Sequence, residues 1–400
     1  MRSLCLIAPF ILILSCQSNI IKKVDYDLKQ FTFNREINYY LVKGDDIAFS
    51  ATSYSSVSEH EKLLESLEHR KKPIEAMSDS LWQTIDATYS QYNADDYIIE
   101  KAKVHEIVMF NEAHHLPRHR HYVKTLLADL YDIGYRYLAL EAMGMLGDGT
   151  IFDKKMQSRG YPMRHTGAYI KEPEFNSMIR EALDLGYQII GYDGASARGN
   201  VEGNREMLGA DNIVYQLENK KQNGKLIVLC GYDHIKEGNS GTYWEYALAE
   251  RLKQMTGNDP LTINQTEYNE RLNTEYEDPL YQRLRHTESV VLLDDQNASI
   301  DLAQDTNWYD VFVFHPRTSF TNGIPDWVME EGEVVHRKFE NIEIECPCKI
   351  MVHEAKDDIS LATPIYVREI DSIQNSIHLP TKGKHVKYVI SNGNESYVVE

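Results

Sequence analysis

The middle of the chain alternates between short apolar runs and segments with helical periodicity, and this alternation constrains the fold more than any other feature. Short apolar runs are typical of parallel strands that are buried on both faces. Two of the intervening segments open with a proline, Pro117 or Pro173, and end at a glycine, Gly134 or Gly186, as helices often do. The pattern predicts βαβ units in an α/β fold, with a mostly parallel sheet flanked by helices. The apolar runs are 107–110, 137–140, 187–192, 226–230 and 311–314.

Changes in composition along the chain predict four regions. A further amphipathic segment inside the α/β region predicts a helix that starts near Thr242 and stops at Gly257. After about residue 331 the pattern changes to strand-like alternation with Gly, Pro and Asn turns, which predicts a small β-rich appendage. The regions are a lipoprotein signal peptide (1–15), a tether and N-terminal helical segment (16–100), the α/β domain (101–330) and the β-rich C-terminal region (331–400).

The first sixteen residues resemble a bacterial lipoprotein signal. Arg2 precedes an apolar run, 4–14, that is too short to span a bilayer comfortably. The run ends in Ile-Leu-Ser before Cys16, which resembles a lipobox whose cysteine is lipidated. An ordinary signal peptide is the alternative. We therefore expect a lipid anchor at Cys16 in the bacterial cell envelope, and the absence of Asp at the next position favours the outer membrane.

Charge and cysteine content exclude some classes of protein. The formal net charge of −19 argues against a nucleic-acid partner, because phosphate binding needs a basic surface. The expected partners are a small-molecule or peptide substrate and the membrane. Cys230 lies in an apolar run and is interpreted as a core residue. Cys346-Pro347-Cys348 has a spacing too tight for an easy disulfide, so surface or edge-strand cysteines are favoured over a metal or redox role.

Ionisable residues follow the apolar runs at the point where each predicted strand ends. The carboxyl ends of parallel strands meet at one edge of a sheet, where ligands bind. These residues are therefore expected to share a crevice, although His119, Asp193 and His315 could equally be structural. His105 and His121 are interpreted as caps or surface residues. The expected crevice residues are Glu112, His114, His115, Glu141, Asp193 and His234.

Two chemistries fit histidines and carboxylates in one crevice. A histidine and a carboxylate can activate water as a general base, or the same groups can bind a divalent metal that lowers the pKa of a bound water. The sequence contains no HExxH, GxSxG or phosphate-binding glycine loop, which disfavours serine hydrolases and P-loop enzymes. The choice between the two chemistries stays open at this point.

Four segments in order resemble the erythromycin esterase-like and ChaN-like (TIKI-related) superfamily. The first is Asn111-Glu-Ala-His-His115 with Pro117, and the second is the strand that ends at Glu141. The others are the segment from Asn204 and Arg205, and 224–234, which ends in Gly-Tyr-Asp-His. The resemblance covers about 104–256. Where the family has Gly before its first glutamate, this chain has Asn111.

The resemblance implies an α/β fold with its cleft at the strand ends. Its members include lactone-opening esterases that activate water with histidine, metal-dependent proteases and haem-binding lipoproteins. Carried over by position, the expected catalytic residues are Glu112, His115, Glu141 and His234, with His115 or His234 as general base. Arg205, Asp193 and His114 are expected to bind substrate, with Arg205 pairing with Glu141 or the substrate. If a metal is required, its expected ligands are Glu112, His114 and His234.

These observations predict a cell-envelope lipoprotein hydrolase that acts on an ester, lactone or amide. The alternative is a ChaN-like haem- or iron-binding lipoprotein without catalysis, in which histidines are axial ligands. A non-enzymatic binder that uses the 26 tyrosines ranks third, because the tyrosines are not clustered. The sequence does not identify a cofactor. The alternatives are no cofactor, a divalent metal (Mn, Zn or Co) or haem.

Overall fold

A computed structural model describes residues 20–144, 152–194, 196–198, 204–219, 223–239, 244–302 and 308–400. Cys16 and the expected signal peptide lie outside the described residues. Among the described residues, no helix combines the length and the apolar character needed to cross a membrane. The helices are α1 (Asn34–Gly44), α2 (Ile47–Ser56), α3 (His60–Leu67), α4 (Asp79–Thr88), α5 (Ala94–Ala102), α6 (Pro117–Asp132), α7 (Met156–Arg159), α8 (Pro173–Leu185), α9 (Arg205–Glu218), α10 (Leu248–Thr256), α11 (Pro279–Arg283) and α12 (Asp326–Met329).

Strands are concentrated in the middle and at the end of the chain. They are β1 (Ile21–Lys23), β2 (Ser90–Asn93), β3 (Ile107–Glu112), β4 (Tyr135–Gly144), β5 (Gln188–Asp193), β6 (Lys225–Gly231), β7 (Leu261–Asn264), β8 (Val290–Leu293), β9 (Val311–Phe312), β10 (Phe320–Thr321), β11 (Ile324–Pro325), β12 (Val334–Arg337), β13 (Cys348–Glu354), β14 (Tyr366–Ile370), β15 (Ile377–Pro380), β16 (Val386–Ser391) and β17 (Ser396–Val399).

The central sheet is parallel throughout, with strand order β5-β4-β6-β3-β7-β9. β3 is buried along its whole length, and β6 is buried beyond its first residue. This explains why both are continuous apolar runs rather than alternating ones. The predicted α/β class, with a parallel sheet flanked by helices and a β-rich C-terminal part, is confirmed. β6 lies between β4 and β3, so the ends of these three strands meet at one edge of the sheet.

Proline starts two of the helices that flank the sheet, and glycine ends one of them. Pro117 and Pro173 occupy the first turns of α6 and α8, where the missing N–H leaves no hydrogen bond unmade. Gly186 ends α8 with a positive φ, which a residue with a side chain rarely adopts. Thr242, where a helix is expected to start, lies outside the described residues; residues 244–247 are not helical, and α10 begins at Leu248. The backbone N–H of Leu248 donates to the side chain of Glu206, 3.0 Å away, and this contact fixes the start of the helix.

The C-terminal region forms a five-stranded antiparallel sheet in the order β1-β17-β16-β13-β14. The edge strand β1 comes from the other end of the chain, with Ile21 paired to Val399. The segment expected as a polar tether therefore contributes β1 and helix α1. A buried cluster joins the N-terminal helices to this sheet and to the turn before α6, through residues such as Ile37, Leu116 and Val389.

Candidate active site

The candidate active site lies where β3, β4 and β6 end side by side. Glu112, the last residue of β3, is in register with Gly231, the last residue of β6. On the other side of β6, Glu141 of β4 accepts a hydrogen bond from the backbone N–H of Gly231 at 2.5 Å. The two glutamates thus flank one glycine. Glu112 and Glu141 therefore lie at the same edge of the sheet, with Gly231 between them.

Glu112 is held by a buried arginine that the sequence analysis did not single out. Arg120 of α6 donates from Nε and Nη2 to the Glu112 carboxylate at 2.6 and 2.9 Å, and from Nη1 to Glu172 at 3.1 Å. Both glutamates and the arginine are at most 3% exposed. Burial favours a higher pKa for Glu112, but the charge of Arg120 and the hydrogen bonds from His114 and Arg120 outweigh it and lower the pKa to about 2. Glu112 is therefore an ionised hydrogen-bond acceptor.

The imidazole of His114 takes its orientation from Glu112. Nδ1 of His114 lies 2.9 Å from Oε1 of Glu112, and the ring stacks on Tyr169 with 4.6 Å between ring centroids. Because the ionised carboxylate only accepts, Nδ1 carries the proton, and the neutral ring has its lone pair on Nε2. The stacking and the hydrogen bond together fix the direction of this lone pair.

The absence of a side chain at Gly231 makes room for His114. A Cβ atom at this position would lie 2.5 Å from Nε2 and Cε1 of His114 and 3.3 Å from Oε2 of Glu141. The backbone of Gly231 is extended, so the glycine is needed for space and not for its conformation. Nε2 of His114 and the Glu141 carboxylate therefore approach each other over the end of β6.

Glu141 is surrounded by hydrogen-bond donors. Its Oε1 accepts from Nη2 of Arg205 at 2.5 Å and lies 3.4 Å from Nε2 of His234. Burial favours a higher pKa for Glu141, but the hydrogen bonds from His234 and Gly231 and the charge of His234 lower it to about 2. Arg205 also binds Asp193 through two contacts of 3.1 Å. The expected pairing of Arg205 with Glu141 is present in the structure.

His234 lies between two carboxylates. Its Nδ1 lies 2.7 Å from Glu206, its Nε2 faces Glu141, and its ring stacks on Trp244 with 4.9 Å between centroids. Burial favours a lower pKa, but the hydrogen bonds and charges of Glu141 and Glu206 raise the pKa of His234 to about 9. At neutral pH His234 is therefore an imidazolium whose two N–H groups point at carboxylates. Arg205 lies 3.3 Å from Nε2, and this contact is not a hydrogen bond when Nε2 carries a proton.

His115, expected to be a catalytic residue, has its side-chain contact with Tyr232. Its Nδ1 lies 3.4 Å from the hydroxyl group of Tyr232, and burial together with the charge of His119 lowers its pKa to about 3. His119 accepts from the backbone N–H of Ala113 at 3.0 Å and therefore holds the turn after β3. His315 is buried and bonded to Ser289 and Gln265, which gives it a structural role.

Three charged residues of this cluster were not predicted from the sequence. They are Arg120, Glu172 and Glu206. A carboxylate that ends a buried strand needs a buried donor, and Arg120 lies on the adjoining helix within reach. Glu206 follows Arg205 in the first turn of α9, but its partner is 28 residues away. Asn111, where the family has Gly, donates to the carbonyl of Tyr232 and to the side chains of Asn264 and Thr266, and so fixes the ends of three strands.

The cluster is a poor fit for the expected metal set of Glu112, His114 and His234. Both oxygens of Glu112 accept from Arg120, and both ring nitrogens of His234 face carboxylates. Arg120, Arg205 and the His234 imidazolium already pair with these acids. A divalent cation would have to displace these groups.

Haem fits these residues no better. An axial histidine ligand needs a ring nitrogen with a free lone pair, and the His234 imidazolium has none.

A second group of potential metal ligands lies elsewhere. His121, Glu174 and Glu331 bring one ligand atom each within 4.8 Å of one another, so this group could hold a metal ion. Two lysines already serve as its cations, since Lys124 contacts Glu331 and Lys382 contacts Glu174. This buried network links α6 and α8 to the C-terminal region.

Comparisons with known proteins give weak matches. No protein-family model matches the chain, and no curated protein is significantly similar to it. RRSP, a MARTX toxin effector domain from Vibrio vulnificus, is 16% identical over 51% of this chain and 44% of its own length, with a TM-score of 0.30. ChaN of Campylobacter jejuni, solved with cofacially bound heme, is 11% identical over 58% of this chain and 98% of its own, with a TM-score of 0.33. The C-terminal region of Pasteurella multocida toxin, described with a thiol-protease-like triad, is 13% identical over 55% of this chain and 31% of its own, with a TM-score of 0.29.

The chain spans less than half the length of the toxin structures that it matches. The case for a function therefore rests on the geometry of the site.

Proposed function

We propose that the chain is a hydrolase that opens an ester, lactone or amide with water activated by His114. The observation that carries this proposal is the pair of imidazoles near Gly231, each fixed by a carboxylate. Glu112 accepts from Nδ1 of His114, and Glu206 accepts from Nδ1 of His234. In its neutral form His114 has a lone pair on Nε2 that can accept a proton, and His234 carries a proton that it can give, so the two rings suit base and acid roles in one reaction.

In this proposal His114 is the general base. Its Nε2 lone pair takes a proton from water, and the oxygen of that water adds to the carbonyl carbon of the substrate. Glu112 holds the tautomer and stabilises the imidazolium that forms, while Arg120 keeps Glu112 ionised. The sequence predicts the base role for His115 or His234 and substrate binding for His114, whereas the side-chain contacts of these residues support His114 as the base and His234 as the acid.

His234 and Arg205 supply positive charge on the opposite side. The carbonyl oxygen becomes negative as water adds, and the His234 imidazolium and the Arg205 guanidinium can stabilise that charge. His234 can then protonate the leaving group, since its pKa of about 9 keeps it charged at neutral pH. Glu141 positions both cations through one carboxylate. Asp193, 37% exposed in its side chain, aligns Arg205 at the mouth of the site.

The location and the substrate class belong to the same proposal. The lipobox-like segment before Cys16 supports a lipid anchor in the cell envelope, with the outer membrane favoured. The cationic groups of the site suit a carbonyl substrate, either a small molecule or a peptide. No described contact favours the haem-binding alternative, so we do not carry it forward.

Turnover of a substrate panel by matched histidine variants tests this proposal. The panel holds p-nitrophenyl esters, a lactone series and a peptide library. We expect His114→Gln and His234→Gln each to lower kcat/KM by about 10²–10⁴-fold, the usual contribution of general acid–base catalysis. His105→Gln serves as control, because His105 bonds the backbone carbonyl of Lys101 far from the site.

The adjacent variant His115→Gln separates the two assignments. Loss of turnover in His115→Gln with activity retained in His114→Gln would overturn the role of His114. Absence of wild-type turnover on every substrate class of the panel would count against hydrolysis itself.

A further inference from the structure

The two cysteines that flank Pro347 lie at the start of β13, in the C-terminal sheet. The chain bends at 346–347, and Sγ of Cys346 lies 3.6 Å from Sγ of Cys348. Both thiols are free. The close spacing of the two cysteines in the sequence predicted that a disulfide would not form easily. In the structure, the bend brings the two sulfurs into contact.

We propose that Cys346 and Cys348 form a reversible disulfide, so that this bend is a thiol–disulfide exchange site. A disulfide needs a sulfur–sulfur distance of about 2.05 Å, so the two sulfurs must approach by roughly 1.5 Å. The required Cα–Cα separation is at most about 6.8 Å, and two residues of fully extended chain span only about 7 Å. A bent segment therefore meets the requirement.

The two thiols have different access to solvent, and this difference sets the order of the reaction. Cys346 is partly exposed, whereas Cys348 is fully buried among apolar residues of the C-terminal sheet. An external disulfide can reach Cys346 first. Cys348 can then resolve the intermediate from the position that it already occupies, beside the Cys346 sulfur.

The surroundings of Cys348 favour the oxidised pair. Burial, with the hydrogen bond and charge of Cys346, raises the pKa of the Cys348 thiol. A disulfide is a strong oxidant when its reduced pair contains a stabilised thiolate, and Cys348 offers no such stabilisation. The loop closed by this disulfide is very short, so its formation stabilises the fold little. Exchange is therefore a better account of the pair than a structural cross-link.

With oxidised glutathione the reaction balances in two steps. The Cys346 thiolate attacks one sulfur of glutathione disulfide and releases one glutathione thiolate, which leaves Cys346 joined to the other half. The Cys348 thiol passes its proton to the glutathione thiolate released in the first step and attacks Sγ of Cys346, which releases the second glutathione as a thiolate that takes up the proton lost by Cys346. The two cysteines are oxidised and one glutathione disulfide is reduced to two glutathiones.

Peptide mass spectrometry of the full chain tests this proposal. Cleavage after Lys338 and Lys349 yields peptide 339–349, which contains both cysteines of the pair and no third cysteine. The protein is equilibrated in glutathione buffers of rising oxidised fraction, quenched with acid and an alkylating agent, and digested. If the disulfide forms, the mass of this peptide is lower than that of the dithiol peptide by two hydrogens, and the peptide carries neither glutathione nor alkyl groups.

Two serine variants give the matched controls. Cys348→Ser is expected to keep one glutathione on Cys346, because no resolving thiol remains. Cys346→Ser is expected to stay unmodified at Cys348, because that thiol is buried. A wild-type peptide that remains a dithiol, or that carries glutathione, would overturn the proposal, as would glutathione on Cys348 in folded Cys346→Ser. Circular dichroism checks that both variants are folded.

Discussion

Nδ1 of His234 lies 2.7 Å from the carboxylate of Glu206, a side chain only 2% exposed, and the same carboxylate accepts the backbone N–H of Leu248. Glu206 therefore joins the start of α10 to the candidate active site. Glu141 lies on the other side of the ring, and His234 therefore keeps its proton at pH values well above the usual pKa of histidine. The protonation of one histidine thus links the stability of the fold to the proposed chemistry.

Stability should fall with rising pH because of His234. The pKa of His234 is raised in the folded protein from 6.5 to about 9, so the folded state binds the proton more tightly. Its contribution is fully present below pH 6.5 and is lost as the pH rises through about 9, by roughly 3 kcal/mol. Urea unfolding between pH 6 and 10 measures this loss. His234→Gln should flatten this part of the profile, and an equally steep loss in that variant would assign the effect to another group.

Replacing Glu206 by Gln should shift the pH dependence of turnover. The glutamine keeps a hydrogen-bond acceptor beside His234 but removes the charge, so the pKa of His234 should fall by about 1–3 units. The alkaline limb of kcat/KM, expected near pH 9 in the wild type, should move to lower pH by the same amount. Steady-state rates across pH 6–10 show this directly. A limb that stays in place would mean that His234 does not act as the acid.

Gly231→Ala should disturb the site without removing a charged group. The new Cβ would come within 2.5 Å of the His114 ring, which is stacked on Tyr169 and hydrogen-bonded to Glu112. A shift of this ring by about 1 Å can cost about 10²-fold in turnover. Gly144→Ala is the matched control, since its Cβ would make an ordinary 3.5 Å contact with the carbonyl of Asp193. Similar rates for the two variants would contradict the placement of His114.

Glu112→Gln should affect folding as well as turnover. Arg120 is fully buried and has Glu112 and Glu172 as its carboxylate partners, and removal of one partner from a buried pair costs about 3–5 kcal/mol. The double variant Glu112→Gln/Arg120→Met removes both charges and should recover part of that loss. Denaturant midpoints for the single and double variants measure the difference. A single variant as stable as the wild type would show that Arg120 is solvated.

The sequence predicts the sheet and much of the site for one physical reason. Parallel strands buried on both faces are continuous apolar runs, and the polar residues that follow them gather at one edge. Glu141 and His234 come together in this way. The choice between His114 and His115 could not be made, because neighbouring residues in an irregular turn point in different directions and no periodicity governs them.

Other features depend on contacts that leave no local signal. The pairing of β1 with β17 joins the two ends of the described chain, and nothing in the composition of residues 20–23 indicates it. The start of α10 depends on Glu206, whose carboxylate arrives from a different helix. Contacts of this kind are decided by packing, which a single sequence does not display.

Histidine NMR of isotopically labelled protein tests the central claim most directly, because it observes both imidazoles near Gly231. The account predicts that the His234 ring holds two protons at neutral pH and titrates near pH 9. It also predicts that neutral His114 is the tautomer protonated at Nδ1, and that the Glu112→Gln variant loses this preference. A His234 ring that titrates near 6.5, or a neutral His114 protonated at Nε2, would contradict the proposed pairing of base and acid.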